Sequence, residues 1–418
     1  MEITTYHNLY TMKIYNYLLF CIAALLMSVL PLRAQKTINV QPIEKNFADT
    51  IDIEFFMDWP IVPATVNGIP MRFVFDTGAS YTIIDPKVML EDGRTMESGI
   101  INDSNDIDGE MKFTELCGFT LGKLNFPCHR ALLFSFDDNP MFRCARIDGF
   151  IGGNILQSMS FKIDKQKKQL IVTDRKKWFQ IDKKKENDIK IEGVNRPYIN
   201  IFVGEAKEEN VLLDTGSNGF YSLADGAFRQ LRTIDPSVWK GEVVETVQGA
   251  ARFSAFGFAQ TDSIYLLKLP EWSINGFLFK NMATATAHSG HSIVGSKLLD
   301  YGQIVLDYPR KKFAFLPYDN AESITLDDEE AEEKFSIGVD ENGHIILGLL
   351  YENSELYRQG ARQGDRLIEL NGQKLNDDLC LFISIGEEEE IKEIKVLDKE
   401  GNEKVFLKNH SETKDVSH

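Results

Sequence analysis

Apolar positions in this chain fall in short runs separated by turn residues. The segments "WPIVPATVNG" (59–68) and "RPYINIFVGE" (196–205) each start at a proline and alternate into a strand-length stretch. Two shorter apolar runs, "FVF" (73–75) and "VLL" (211–213), each stop at an aspartate. "GFTLGKLNFP" (118–127) reads as a hairpin. Further on, one apolar strand ends at Asp164 and another at Asp307, and each leads through a basic turn into a second strand, "KQKKQLIV" and "YPRKKFAF". Segments of this length, rich in Val, Ile, Phe and Thr and punctuated by Gly, predict an all-β chain of closed or folded-over sheets.

The segments repeat in order. "FVFDTGASYT" (73–82) recurs as "VLLDTGSNGF" (211–220), with Asp214 lying 138 positions after Asp76. Pro60 precedes the first acid by 16 residues and Pro197 the second by 17. "GEMKFTELCGFTL" begins 33 residues beyond Asp76, and "GAARFSAFGFAQT" 35 beyond Asp214. "FIGGNIL" (150–156) parallels "IVGSKLL" (293–299), and the interval from Gly152 to Asp164 equals that from Gly295 to Asp307. An internal repeat with so many ordered landmarks predicts two homologous lobes, 36–180 and 191–318. The charged stretch 174–190 joins them, and the acidic stretch 319–334 leads to a third unit, 335–409.

Composition narrows the function classes. Of the 418 residues, 43% are hydrophobic, and the net charge of −17 leaves no basic footprint for nucleic acid. Near the start, "YLLFCIAALLMSVLPL" (17–32) follows Lys13 and precedes "RAQ". That pattern predicts a signal peptide over 1–34, with Leu32 and Ala34 at the cleavage positions. The body is then exported, to a periplasm, a cell surface or the medium, and is membrane-bound only if the segment stays uncleaved. Beyond it lie Cys117, Cys128, Cys144 and Cys380, which allow three disulfide connectivities. Cys117 and Cys128 flank the 118–127 hairpin and make the one obvious pair; Cys380 stands far from the other three. "HSGH" (288–291) offers two histidines without a third ligand, so no metal site is expected.

A carboxylate at the end of an apolar strand is costly when alone. Two lobes packed about a pseudo-twofold axis would bring Asp76 and Asp214 face to face, where they would share one proton and titrate as a unit. The charged acid draws a proton from a water held between them, and the neutral acid protonates a carbonyl oxygen. A tetrahedral diol then collapses with proton return to the amine. Such chemistry needs neither metal nor cofactor. Gly78 and Gly216 let backbone amides approach the carboxylates, and Thr77 and Thr215 are placed to hydrogen-bond across the joint.

These residues resemble the pepsin and retropepsin superfamily of aspartic proteases over most of 55–318. The match rests on Phe73-Val74-Phe75-Asp76-Thr77-Gly78-Ala79 with Ile151-Gly152, and on Val211-Leu212-Leu213-Asp214-Thr215-Gly216-Ser217 with Val294-Gly295. The resemblance implies two β-barrel lobes, Asp76 and Asp214 as the catalytic pair, and cross-lobe bonds from Thr77 and Thr215. It places a substrate-covering flap near 98–116, here acidic and without the tyrosine that pepsin flaps carry, and a matching hairpin near 240–256. Lobe 2 carries Ser217 where lobe 1 carries Ala79. A hydroxyl donated there to the carboxylate favours ionisation, which makes Asp214 the charged acid and Asp76 the neutral one. The implied activity is endopeptidase. The competing reading is a peptide-binding protein of the same fold that does not cut.

In the third unit, "ILGLLYENSELYRQGARQGDRLIELNGQKL" (346–375) resembles bacterial PDZ domains through its Gly364-Asp365 and Asn371-Gly372 turns around "RLIEL". That resemblance implies peptide recognition by strand addition, with Ser336, Ile337, Gly338 and Val339 near the loop that would hold a peptide C-terminus. "GEEEE" (386–390) reads as a solvated turn.

Overall fold

A computed structural model describes residues 40–88, 95–102, 107–137, 139–192, 195–234, 243–249, 253–254, 257–258, 262–319, 321–326, 335–340 and 342–407. The expected signal peptide lies outside them. The chain is mostly β, as the alternation predicts, in two large sheets, a sheet shared between them, a two-stranded ribbon (Phe253–Ser254 with Gly257–Phe258) and a separate C-terminal sheet.

Each large sheet is built around the same circuit. In lobe 1, strand Trp59–Val66 runs antiparallel to Ile69–Phe75, with Ile61 opposite Val74. The second strand starts exposed and ends fully buried, carrying the chain inward to Asp76. In lobe 2, strand Arg196–Val203 pairs with Ala206–Asp214 in the same way. Here the register shifts between Ile199 and Ile201, and Asn210 takes a φ of 61°. That bulge holds the extra residue counted between Pro197 and Asp214.

The strands leading into the acids meet a matching partner. Gly149–Ile151 runs parallel to Ile69–Phe75, and Ile293–Gly295 runs parallel to Ala206–Asp214. Each of these short strands also pairs antiparallel with the strand that follows the acid, Ile83–Ile84 in lobe 1 and Tyr221–Ala224 in lobe 2. The expected flap is an antiparallel hairpin, Thr95–Asn102 with Asp108–Leu116. Its counterpart pairs Val243–Gly249 with the front of Asp262–Ile274, so its second strand begins later than the sequence suggested.

The lobes are joined by a six-stranded sheet that sequence reading did not anticipate. Its order runs Ala48–Asp52, Gln169–Thr173, Ser160–Asp164, Gly302–Asp307, Lys312–Pro317 and Asn187–Asp188. The seam is Ser160–Asp164 against Gly302–Asp307, with Phe161 opposite Leu306 and Ile163 opposite Ile304. These are the paired strands ending in Asp164 and Asp307. The charged stretch 174–190 is therefore not wholly a linker, since Asn187–Asp188 pairs with Lys312 and Phe313. One continuous apolar cluster, including Phe75, Phe161, Leu213 and Phe315, runs beneath both acids.

The C-terminal module has its own sheet, in the order Phe335–Val339, Ile345–Leu350, Arg366–Leu370, Glu393–Leu397, Glu403–Leu407. Its core holds Leu347, Leu350, Leu367, Leu370, Ile383, Val396 and Phe406. Asp378 caps helix Leu379–Glu388 by accepting from the backbone N–H groups of Cys380 and Leu381. The helix runs through Gly386, Glu387 and Glu388, which corrects the reading of 386–390 as a turn. Glu387 accepts a 2.6 Å hydrogen bond from the Met57 amide of lobe 1.

Two disulfides form. Cys117–Cys128 closes the predicted hairpin, with Cα atoms 4.2 Å apart. Cys144–Cys380 joins helix Pro140–Ala145 of lobe 1 to helix Leu379–Glu388 of the module, across 236 residues. The expectation of one obvious pair missed this bond because the two cysteines meet only through domain packing.

Candidate functional site

Two Asp-Thr-Gly turns meet where the lobes abut. The Thr77 backbone N–H donates to Thr215 Oγ1 at 3.1 Å, and the Thr215 N–H donates to Thr77 Oγ1 at 3.0 Å. Each hydroxyl in turn donates across the joint to the carbonyl preceding the opposite acid, Thr77 to Leu213 and Thr215 to Phe75. Both threonines are fully buried. Four bonds related by approximate twofold symmetry lock the turns, and every donor and acceptor in the set is used.

This lock presses the acids together. A Cβ on Gly78 would come within 2.3 Å of Asp214 Cγ, and one on Gly216 within 2.4 Å of Asp76 Cγ. Each carboxyl thus rests against the backbone of the other lobe's turn, where only glycine leaves room. The Gly78 and Ala79 amides donate to Asp76 Oδ1 at 2.8 and 2.9 Å, and the Gly216 amide donates to Asp214 Oδ1 at 2.9 Å. Asp76 and Asp214 are only 9% and 8% exposed.

Burial, followed by the negative charge of Asp214 and a hydrogen bond shared with it, pushes the Asp76 carboxyl well above the usual carboxylate range. The amides of Ala79 and Gly78 oppose this without cancelling it. Asp76 therefore holds a proton more readily than an ordinary carboxyl does. The sequence argument for a neutral Asp76 rested on Ser217 instead. Here the direction follows from desolvation and from the facing carboxylate.

Behind each turn a backbone segment holds it in place. The Gly153 and Asn154 amides donate to the carbonyls of Ala79 and Ser80. On the other side, Ser296 and Lys297 donate to Ser217 and Gly219, and Ser296 Oγ adds a 2.8 Å bond to the Ser217 carbonyl. Ser217 therefore takes part through its carbonyl as well as standing next to the acid's turn. Asn154 and Ser296 were not singled out in the sequence, although both lie in the glycine segments of the repeat, just past Gly152 and Gly295, which was a usable signal. Tyr308 was missed too. It is buried on the seam, and burial together with the charges of Asp76 and Asp214 drives its phenol strongly upward.

The predicted flap stands over lobe 1, with Ile100 70% exposed on its first strand. Its second strand packs Met111 and Phe113 against Tyr81 and Leu132. The Tyr81 and Phe113 rings are 5.4 Å apart, and the Arg130 guanidinium lies 3.6 Å over Phe113 while pairing with Glu97 of the flap.

The module residues Ser336, Ile337, Gly338 and Val339 lie on strand Phe335–Val339 at the edge of its sheet, remote in the chain from the acids. Among the described residues the strand pairs on one side only, with Ile345–Leu350.

Residues 62–154 match a family model described as aspartyl protease. No curated protein sequence matches the chain. Among solved structures, the basic 7S globulin from soybean is similar at 10% identity and a TM-score of 0.37, over 64% of this chain and 94% of that one. Conglutin gamma, a basic 7S globulin from lupine seeds, is similar at 9% identity and a TM-score of 0.40, over 65% of this chain and 95% of that one.

Proposed function

We propose that this protein is an aspartic-type endopeptidase in which Asp76 and Asp214 activate one water between them. The observation that carries the reading is the pair of interlocked Asp-Thr-Gly turns, which presses two buried carboxyls together and gives them one proton to share. The aspartyl protease match over residues 62–154 supports it for the first lobe. The second lobe is supported by its repeat of the same circuit, down to the parallel pairing of Asp214 with Gly295.

In this mechanism Asp214 takes a proton from water as Asp76 gives one to the carbonyl oxygen. The roles reverse when the amine leaves. Amides 78, 79 and 216 hold the inner carboxylate oxygens, so the outer ones face substrate. The flap hairpin closes over the peptide and keeps bulk water out.

The C-terminal module is proposed to be PDZ-like and to receive an extended peptide, or a peptide C-terminus, along Phe335–Val339, whose second edge is unpaired among the described residues. Export is part of the same proposal, and the two disulfides are in keeping with an oxidising compartment.

The test is incubation of the protein with a diverse peptide mixture between pH 3 and 8, with cut sites mapped by mass spectrometry. Cleavage that stops in Asp76→Asn and in Asp214→Asn, and that a statine-type inhibitor blocks, supports the peptidase. A protein that binds peptides and never cuts them is instead a receptor built on this fold.

A further inference from the structure

The two cleft hairpins share a register, yet their inner faces are packed by different parts of the chain. In lobe 1, Phe113 lies opposite Leu132, and in lobe 2 Leu266 lies opposite Ala285. Met111 and Phe113 therefore correspond to Ile264 and Leu266. In lobe 1 the face they form is closed by Tyr81, five residues beyond the acid. The equivalent stretch of lobe 2 reads Gly219-Phe220, and Phe220 turns elsewhere. Its ring packs 5.6 Å from Trp272, 5.0 Å from Phe279 and 5.2 Å from Tyr301.

The face left over is closed from outside the lobe. Val247, Ile264 and Leu266, with Ala285, form one buried cluster with Leu349 and Tyr351 of the C-terminal module. A bulge aims these two side chains. The pairing of Phe335–Val339 with Ile345–Leu350 slips between Ser336 and Ile337, and the alternation of the second strand breaks at Gly348. Leu347 and Leu350 then point into the module's own core, whereas Leu349 and Tyr351 point to lobe 2. A side chain at 348 would sit 3.0 Å from the Gly338 amide and would have to push that strand back by a few tenths of an ångström. Glu245 of the hairpin completes the contact by accepting from the backbone amides of Glu352 and Asn353. On its other side the module is bonded to lobe 1 through Cys144–Cys380.

We infer that Leu349 and Tyr351 are positioning residues for the lobe 2 half of the peptide cleft. They hold the hairpin Val243–Gly249 in one pose, so that the lobe 1 hairpin is the flap that moves. The inference rests on the peptidase reading for its meaning, though not for its structural content. Both residues are buried, at 5% and 2% exposure, and act through the hairpin. Strand Phe335–Val339 pairs across the same bulge, so a peptide added to its outer edge, unpaired among the described residues, would bear on the seating of these two side chains.

The experiment compares the full chain with Leu349→Ala, Tyr351→Ala and Tyr351→Phe. Amide hydrogen exchange is read without substrate over 243–249 and 262–267, with 108–116 of lobe 1 as the internal reference. The alanine variants should speed exchange in the lobe 2 hairpin by about tenfold or more and leave the lobe 1 hairpin unchanged. Tyr351→Phe keeps the ring in the cluster and should speed that exchange less than Tyr351→Ala does. Peptide cleavage by the alanine variants should show KM raised by about tenfold with kcat nearly constant. Unchanged exchange in the lobe 2 hairpin, or equal acceleration in both hairpins, overturns the inference, as does a fall in kcat at constant KM. If the parent cuts no peptide, the peptidase reading fails while the exchange data still decide whether the module positions the hairpin.

Discussion

Lobe 1 and lobe 2 run the same strand circuit, yet they agree closely in one place and diverge in another. At the axis the cross-joint threonine bonds of the two Asp-Thr-Gly turns match one for one, and each threonine is both donor to and acceptor from the opposite turn. Away from it, lobe 1 packs its hairpin with its own Tyr81, while lobe 2 relies on Leu349 and Tyr351 of another unit. The lesson is about constraint. Where two copies must fit each other, a change in one demands a change in both. Where each copy meets different surroundings, its side chains are free to drift.

The largest effect should come at the axis, and it should be symmetric. Gly78→Ala and Gly216→Ala each drive a methyl into the facing carboxyl, displacing it from the position the proposed mechanism requires. Each should lower kcat/KM by about a hundredfold or more, as misplacement on the ångström scale does. A large loss from one and none from the other would break the symmetry. Next come Thr77→Ala and Thr215→Ala. The first bares the buried Thr215 N–H and Leu213 carbonyl, and the second bares the Thr77 N–H and Phe75 carbonyl. Each should cost about 2–4 kcal/mol in denaturant unfolding, with similar values for the two.

Away from the axis the lobes should respond differently. Glu208 of lobe 2 is buried, hydrogen-bonded to Tyr221, and, with the bulge allowed for, stands where Met71 stands in lobe 1. Burial raises its carboxyl above the ordinary range, despite hydrogen bonds from Ser292 and Tyr221. A carboxyl raised on folding holds its proton more tightly in the native state. Its contribution to stability is therefore whole below the unfolded value, near 4, and is lost as pH rises through the folded one. Asp76 has the same sign. Glu208→Gln should flatten the decline in unfolding free energy from pH 4 toward neutrality, measured by urea melts. An unchanged slope would remove Glu208 from the account.

The smallest effect tests the local difference between Ser217 and Ala79. Loss of a hydroxyl that favours the ionised acid moves the acid limb of the pH–rate profile upward in Ser217→Ala. If the limb stays in place, the asymmetry of the pair comes from burial and from the facing charge alone.

Much of this was legible before any coordinates. The alternating runs marked strands, and the doubled landmarks marked two lobes. The 16-against-17 spacing before the acids even registered the bulge at Asn210. Less legible was whatever depended on surfaces meeting. Leu349 and Tyr351 look in the sequence like the continuation of a module strand, and only a one-residue slip at Gly348 turns them toward lobe 2. The glutamates after Gly386 read as a turn, because a helix held by Asp378 at one end and by lobe packing along its side has no local signature there.

By itself the sequence determined the β architecture, the twofold repeat and the identity of the two acids. Each of these is written in short-range patterns that the chain states twice. Tertiary structure decided the shared six-stranded sheet, the bond between Cys144 and Cys380, the partner that closes the lobe 2 hairpin and the raised proton affinity of Asp76. Those outcomes depend on burial and on contacts between distant segments, and neither exists until the chain has folded.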